Sequence, residues 1–506
     1  MAAPETGPLY LAIDFGTSHI RAAVGPATGT PLAVARRPIR YRRPDGTPDA
    51  ALEFDPQTAW RIVCETVHEA LAASGTDPKT IKGAGVTSQR LGLVLYDKDG
   101  RPLYAGPNRD LRAIFEGGEI DADYGNTVWQ MTGHGPGFLL SWARFLWFKR
   151  NAPEMYDRIR TASTLADWLA FRMTGVLLME ATLGVESGLA LVATGHPAGG
   201  LGEMLDLDEI DLAPTCPPGT VVGSLTKQAA KELGLRTGTP VVAAGPDTQA
   251  GLLGLGATEP DQAGVIAGWS AAVQRVTNIP FFDDTHSMWT GRHIVPDRWV
   301  LEGNAGEMGG AYEWLTALVQ SWEAPARSME RLDMLASAEP IGARGTSAYL
   351  GPTFINMADV GLRTGGLVFP SPLAFEPPTR GSLARATLES FAFAIRFNLD
   401  RLALFGGPVK QVAVGGGMVR TRTFNHVLAA VVGHSITIAS SGESTALGVL
   451  SMAGVATDRD TTMEQVTRLR RSELVSVEPK SSDAAEYHDL YHAWRMRERQ
   501  LGQIDL

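Results

Sequence analysis

Short apolar runs punctuate the chain: LYLAID (9–14), GLVLYD (92–97), PVVAAG (240–245), AGVIAG (263–268) and QVAVGGG (411–417). Apolar runs of this length, bounded by glycine or polar residues, predict buried strands. Stretches of helical period lie between them. In RATLESFAFAIRFNLDRLAL (385–404), Leu388, Phe391, Ile395, Leu399 and Leu402 fall on one face. AWRIVCETVHEALAASG (59–75) predicts a second helix, closed by Gly75. DAAEYHDLYHAWRMRERQ (483–500) predicts a mostly exposed helix at the end. Strands alternating with helices predict an α/β fold. The segment 193–223, with GHPAGG and APTCPPG, predicts a surface connection.

A chain of 506 residues is too long for one core, so two domains are expected. Two local patterns agree. AIDFGTSHIRAAV (12–24) and GVIAGWSAAVQRV (264–276) both read strand, glycine-containing turn, strand, with Gly268 under Gly16 and Ser270 under Ser18. One such turn opens each half, which points to a duplicated domain. The joint falls near residues 250–258, dividing the chain into 8–254 and 255–506.

Charge and cysteine usage narrow the function. The net charge is −10, and the one dense basic run, ARRPIRYRR (35–43), alternates with apolar residues as a solvated strand face does. A nucleic-acid partner, which needs a broad basic surface, is not expected. The 2 cysteines, Cys64 in a helical pattern and Cys216 in a Pro-rich stretch, form neither a disulfide framework nor a thiolate metal site. A reducing cytoplasm fits. The start, MAAPETGPLYLAID, has no basic n-region, and no apolar run is long enough to span a bilayer, so no membrane role is expected. The 10 histidines show no ligand spacing.

Candidate chemistry sits at the strand ends. In IDFGTS, Gly16 permits a tight turn, while Thr17, Ser18 and successive backbone N–H groups can form a phosphate nest. Asp14 beside it would repel phosphate unless a Mg2+ ion intervened through water. A plain β-hairpin explains the same residues, and on this motif alone it is the better explanation. GWS (268–270) is either a second phosphate turn or a hairpin anchored by Trp269, and the two are compatible. VAVGGGMVRTRTFNHVLAAVVG (412–433) is a strand, three glycines and a helix whose N-terminus favours an anion or polar ring edge. In VVAAGPDTQAGLLGLG (241–256) a lone carboxylate, Asp247, interrupts small apolar residues, either as a helix cap or as a reactive group. No Walker A pattern and no HExxH occurs.

In this order the motifs resemble those of the FGGY carbohydrate kinases over nearly the whole chain. AIDFGTSHIRAAV is similar to that family's opening phosphate motif, GVTSQRLGLVLYDKDGRPL (85–103) to its sugar-contacting segment, and RDLR (109–112) to its Asp-x-Arg element. GPDTQAGLLGLG resembles the segment carrying its catalytic Asp, and MGGAYEWL (308–315) and GGGM…ESTALGVLSMAG (415–454) its nucleotide segments. EFDPQTAW (53–60), DWLAF (167–171) and GPTFINM (351–357) look most like autoinducer-2 kinases, with pentulose kinases close.

The resemblance implies two duplicated actin-like (ribonuclease H-like) domains with an interdomain cleft that binds Mg-ATP and a small sugar. It implies Asp247 as general base and Asp14 as organiser of Mg2+. Gly16, Thr17, Ser18, Gly268, Ser270, Gly309, Gly416 and Gly417 would meet ATP, and Gln89, Arg90, Asp110 and Gln249 the sugar. Without the resemblance, Arg90 reads as an ion-pair partner and Asp110 with Arg112 as a local pair on a turn. Four positions depart from the family pattern: Leu91 replaces a Glu, Asn108 a Trp, Trp269 a Thr and Ala430 an Asp. An actin-like ATP-driven binding module, or a regulatory relative that binds sugar without turnover, are the alternatives. A dimer is the commonest assembly of soluble proteins and is the expectation here.

Overall fold

In the computed structural model the described residues are 7–207, 209–319, 325–350, 365–371, 377–439 and 442–503, with side chains of 325–328 excepted. The chain divides into two compact units. Unit 1 comprises Met1–Thr258, Asn278–Val300 and Thr445–Ser472; unit 2 comprises Glu259–Thr277, Leu301–Ser444 and Glu473–Leu506.

Unit 1 is built on a six-stranded sheet. Its strands are β1 (Leu9–Phe15), β2 (His19–Pro26), β3 (Ala33–Pro38), β4 (Ile81–Ser88), β5 (Val221–Ser224) and β6 (Pro240–Pro246). They lie in the order β5-β6-β4-β1-β2-β3. β1 and β6 run parallel to β4, one on each side, whereas β2, β3 and β5 join antiparallel. β1 and β4, the central pair, are buried along nearly their whole length. Helix α1 (Pro56–Ser74) lays Trp60, Val63, Cys64, Val67 and Leu71 into the core under the sheet. Asp55 caps its start, and Gly75, at φ 64°, closes it as the sequence predicts. Four more helices of this unit are α2 (Ile114–Thr132), α3 (Leu165–Thr174), α4 (Ala181–Glu186) and α5 (Asp247–Gly254).

Unit 2 repeats the plan. Its strands are β7 (Gln262–Ala267), β8 (Ser270–Thr277), β9 (Trp299–Glu307), β10 (Gln411–Gly415), β11 (Ile436–Ile438) and β12 (Val475–Val477). They run β9-β8-β7-β10-β11-β12, with β7, β10 and β11 parallel. Setting β3-β2-β1-β4-β6 beside β9-β8-β7-β10-β11 shows the same hairpin-then-parallel order in both units. That topology is the duplication the paired turns anticipate. Five helices accompany it: α6 (Gly309–Val319), α7 (Pro325–Ser337), α8 (Arg380–Ala403), α9 (Arg422–Val432) and α10 (Ser481–Leu501).

One expectation changes. The stretch 193–223 is more than surface connection: it holds a helix at Gly199–Met204 and strands at Asp211–Leu212 and Thr215–Cys216, and it buries Leu201, Leu207 and Cys216. Its Pro and Gly residues mark turns between short elements rather than their absence. Among the described residues no helix is long and apolar enough to cross a membrane.

Candidate active site

Parallel strands aim their carboxyl ends at one edge of a sheet, where ligands of open α/β folds bind. In unit 1, Asp14 of β1 lies opposite Thr87 of β4, and Pro246 of β6 lies opposite Ser88. Asp14, the Gln89–Arg90 pair after β4, and Asp247 after β6 therefore emerge at the same edge. Residues more than 150 positions apart meet because β1 and β6 flank β4.

Asp14 is 3% exposed, and its Oδ2 accepts a hydrogen bond from Arg21 Nη1 at 2.9 Å. The turn that follows is closed by Gly16 N–H donating to His19 O at 3.1 Å. It is braced from three sides: Gln89 Nε2 donates to Gly16 O (3.1 Å), Tyr41 Oη to Thr17 O (2.6 Å) and Asn108 Nδ2 to Thr17 Oγ1 (3.1 Å). Asn108 N–H also donates to Gln89 Oε1 at 3.1 Å. Asn108, in the place of the family's Trp, thus ties the turn of residues 107–110 to the Gly16–Ser18 turn, and Gln89 is engaged in the same brace. Ser18 contributes its carbonyl to Ile39 N–H at 3.0 Å.

Asp247 is the first residue of α5, after Pro246 in extended conformation. Its Oδ1 accepts from the adjacent Thr248 N–H at 2.9 Å rather than from an amide two or three residues along, as an N-cap would. Its main-chain carbonyl accepts from Thr445 Oγ1 at 3.0 Å, which fixes the start of the helix. Burial, and after it the Asp14 carboxylate, push Asp247 up to about 7, against the opposing pull of Arg90. A carboxyl poised near neutrality can take or release a proton at working pH, which suits a general base.

A residue the motifs do not single out organises the neighbouring side chains. Glu186, the last residue of α4, is 1% exposed. Its Oε2 accepts from Arg90 Nη1 (2.9 Å) and faces His134 Nε2 (3.1 Å), while its Oε1 accepts from Gln249 Nε2 (2.5 Å). Burial alone would raise this carboxyl, but His134 and Arg90 together hold it at about 2. Arg90 is further fixed over the Trp289 ring, 5.2 Å from its centroid. A usable signal exists in the sequence: a lone carboxylate in the apolar run ATLGVESGLALV (181–192), the same kind of signal that marks Asp247.

Asp110 lies apart from that cluster. Its oxygens accept from Arg112 Nε (2.8 and 3.1 Å), Leu52 N–H (3.1 Å) and the Tyr104 hydroxyl. Arg112 also reaches Glu53 at 2.8 Å and lies over the rings of Tyr104, Trp147 and Phe148. The buried Asp110–Arg112 pair thus anchors the turn that presents Asn108.

In unit 2, Gly268 N–H donates to Ser270 O at 2.9 Å, two residues on, where Gly16 N–H in the first turn reaches His19 O, three residues on. Gly309 N–H donates to Gly268 O at 3.0 Å, and a Cβ at Gly309 would stand 2.6 Å from that oxygen, so only glycine fits. Trp269 is 51% exposed, with its ring edge against Gly310. β7 and β10 are in register at Ile266 and Gly415, so Gly268 and Gly416 end side by side. Gly416 has φ 88°, and a Cβ there would lie 2.5 Å from Ala267 O. Gly417 has open space on its Cβ side. Unit 2 therefore brings Gly268, Ser270, Gly309, Gly416 and Gly417 to one sheet edge.

The helix after the glycines departs from expectation. A 3₁₀ turn, Gly417–Arg420, intervenes, and α9 begins only at Arg422. Asp333 of α7 accepts from the amides of Arg422 (3.1 Å) and Thr423 (3.2 Å), so a carboxylate of the protein already occupies that N-terminus. The glycine turn itself stays accessible, with Gly417 exposed. Ala430 is buried in α9, where the family's Asp would need a partner. The GPTFINM segment (351–357) lies outside the described residues.

Among the described residues no group of three or more His, Cys, Asp and Glu side chains could hold a metal. Asp14 and Asp247, close enough for one charge to raise the other, still suit Mg2+. That ion is typically bound through one or two carboxylates, with phosphate oxygens and water completing its shell.

Comparison with known proteins agrees along the whole chain. Residues 9–254 match the N-terminal domain, and residues 263–457 the C-terminal domain, of the FGGY family of carbohydrate kinases. The autoinducer-2 kinase of Escherichia coli O9:H4 is 30% identical, over 99% of this chain and 96% of the relative. That of Yersinia enterocolitica is 29% identical, over 94% and 92%. Among solved structures, xylulose kinase from Rhodospirillum rubrum superposes with a TM-score of 0.83 at 25% identity, covering 97% of this chain and 99% of that one. Plasmodium falciparum glycerol kinase with ADP shares the fold, with a TM-score of 0.83 at 17% identity, covering 98% and 99%.

Proposed function

Because the chain belongs to the FGGY family of carbohydrate kinases, a family of ATP-dependent phosphotransferases, we propose that it phosphorylates a hydroxyl of a small polyhydroxy carbonyl compound, a ketose or an autoinducer-2-type molecule. The observation that carries this reading is the convergence of Asp14, Arg90 and Asp247 at the ends of three adjacent parallel strands, with Asp247 poised near neutrality.

Phosphoryl transfer asks a protein mainly for positioning and charge neutralisation. Arg90 and Gln249 orient the sugar. Asp247 accepts the proton of the attacking hydroxyl, so the oxygen meets the γ-phosphorus in line as an incipient alkoxide. The backbone N–H groups of the Gly16–Ser18 turn and of the Gly268 and Gly416 turns hold the phosphates, with Gly309 and Gly417 beside the nucleotide. Asp14 and Asp247 are the groups that would hold Mg2+, which when bound with ATP neutralises charge on the phosphates. Gln89 acts through the first turn it braces, and Asp110 through the segment it anchors.

ADP release across xylulose, ribulose, glycerol, erythritol and the autoinducer-2 precursor tests the reading. Turnover with one or two ketose-like compounds and little with glycerol is expected. A flat response across the panel and across wider sugars would defeat it, and sugar-independent ATPase activity would favour an actin-like module instead.

A further inference from the structure

We propose that Glu186 is a positioning residue of the sugar pocket, the shared counter-ion that keeps Arg90 and Gln249 aligned with Asp247. The inference rests on the reading above, in which Arg90 and Gln249 meet the sugar.

Three observations carry it. The carboxylate joins three other parts of unit 1: Arg90 after β4, His134 after α2 and Gln249 in the first turn of α5. Both its oxygens are engaged by those side chains, so it acts on a ligand through them and not by touching it. Room is also kept for it: a Cβ at Gly291 would stand 2.2 Å from Glu186 Oε1, and the chain has glycine there. Leu91 gives the third. It stands next to Arg90 where a Glu is expected from the family pattern, and it is 7% exposed with its carbonyl accepting from Arg144. With no carboxylate beside Arg90 in sequence, α4 supplies one from almost 100 residues away.

The physical consequence is directional. Arg90's side chain is only 11% exposed, so it needs a partner charge wherever it points. With Glu186 neutralised, Asp247, which already feels the Arg90 charge, and Asp14 beside it are carboxylates left to attract the guanidinium. The guanidinium would be drawn from its seat over Trp289 toward the reacting centre. The Gln249 amide, two residues after Asp247, would exchange a charged acceptor for a neutral one, with the Arg292 carbonyl at 3.5 Å as its other partner.

The test is Glu186→Gln, with Glu186→Asp as the charge-keeping control. The probe is whichever of xylulose, ribulose and the autoinducer-2 precursor the wild type turns over fastest. Misplacing an orienting group costs up to about 100-fold, so kcat/KM for the sugar should fall roughly 10- to 100-fold in Glu186→Gln. The KM for ATP should stay within about twofold, because the phosphate turns rely on backbone. Glu186→Asp should recover part of the loss. Sugar kinetics unchanged in a folded Glu186→Gln, or sugar and ATP KM rising together, would overturn the proposal. If Glu186→Gln fails to fold, Glu186→Asp decides alone: a raised sugar KM with unchanged ATP KM supports it, and unchanged sugar KM overturns it. A wild type inactive on every sugar defeats the kinase reading itself and this inference with it. An active wild type with an indifferent Glu186→Gln defeats only the inference.

Discussion

Asp14 and Asp247 end two strands that flank the same central strand, and the charge of the first helps keep the proton on the second. Burial is the larger cause of the raised Asp247 pKa, and the Asp14 charge adds to it. The arrangement of the two carboxylates makes the site unstable by itself and ready for a cation and a proton acceptor's work.

Asp247→Asn should leave a folded protein that binds ATP and hardly turns over. Removing a general base typically costs about 10²–10⁴-fold in rate. The substitution keeps a side-chain oxygen to accept from Thr248 N–H, so the start of α5 should hold. Steady-state ADP release and ATP titration by calorimetry check both halves. Activity within a few fold of wild type would reduce Asp247 to a local turn residue.

The same substitution should also stabilise the protein, with a defined pH dependence. Asp247 titrates near 3.8 when unfolded and about 7 when folded. Its ionisation therefore costs nothing below the unfolded value, costs progressively more as pH rises between the two, and costs most above about 7. Asparagine removes that cost. Melting temperatures of the two proteins should coincide near pH 4 and separate by several degrees at pH 8, at roughly 2–4 °C per kcal/mol. A variant less stable than wild type at pH 8 contradicts the repulsion between Asp14 and Asp247.

Much of this site is legible in the sequence because strand ends and turns are local features. IDFGTS and AGWS place Gly16 and Gly268 at hairpin turns, and in each turn the glycine N–H donates across to the following strand. Asp247 stands out as one charge among small apolar residues. Glu186 shows the same signal, but its meaning lies in Arg90, His134 and Gln249, and no local pattern predicts that meeting. Asp110 reads either as a sugar contact or as a partner of Arg112, and in the structure it accepts from Arg112, Leu52 N–H and the Tyr104 hydroxyl. The start of α9 misleads because the glycines and the helix look continuous. A 3₁₀ turn separates them, and the capping carboxylate, Asp333, comes from α7.

Trp269→Thr, which restores the family's residue in the second turn, should change the KM for ATP by less than about threefold, because nest-type phosphate sites are built from main-chain N–H groups. The turn is held by Gly268 N–H to Ser270 O, by Gly309 N–H to Gly268 O and by Met308 N–H to Trp269 O (2.8 Å), none of which uses the indole. The exposed ring should instead report on the site: fluorescence lost in Trp269→Thr should be the part that ADP alters in the wild type. An ATP KM raised tenfold or more would mean that the indole itself contacts the nucleotide.

Gly416→Ala should damage nucleotide use while sparing the sugar side. Its φ of 88° is strained for alanine, and the added methyl would meet Ala267 O at 2.5 Å, well inside contact distance. Relief requires the glycine turn to shift away from the end of β7. Strain of this kind costs on the order of 1–3 kcal/mol. The expected result is a KM for ATP raised by about tenfold or more, with a sugar KM measured at saturating ATP near the wild-type value. Gly417→Ala is the control, since open space surrounds its Cβ position. It should fold as the wild type does and affect ATP only through direct contact. If both variants use ATP normally, the glycine turn after β10 is not a nucleotide contact, and the candidate phosphate positions reduce to the two hairpin turns.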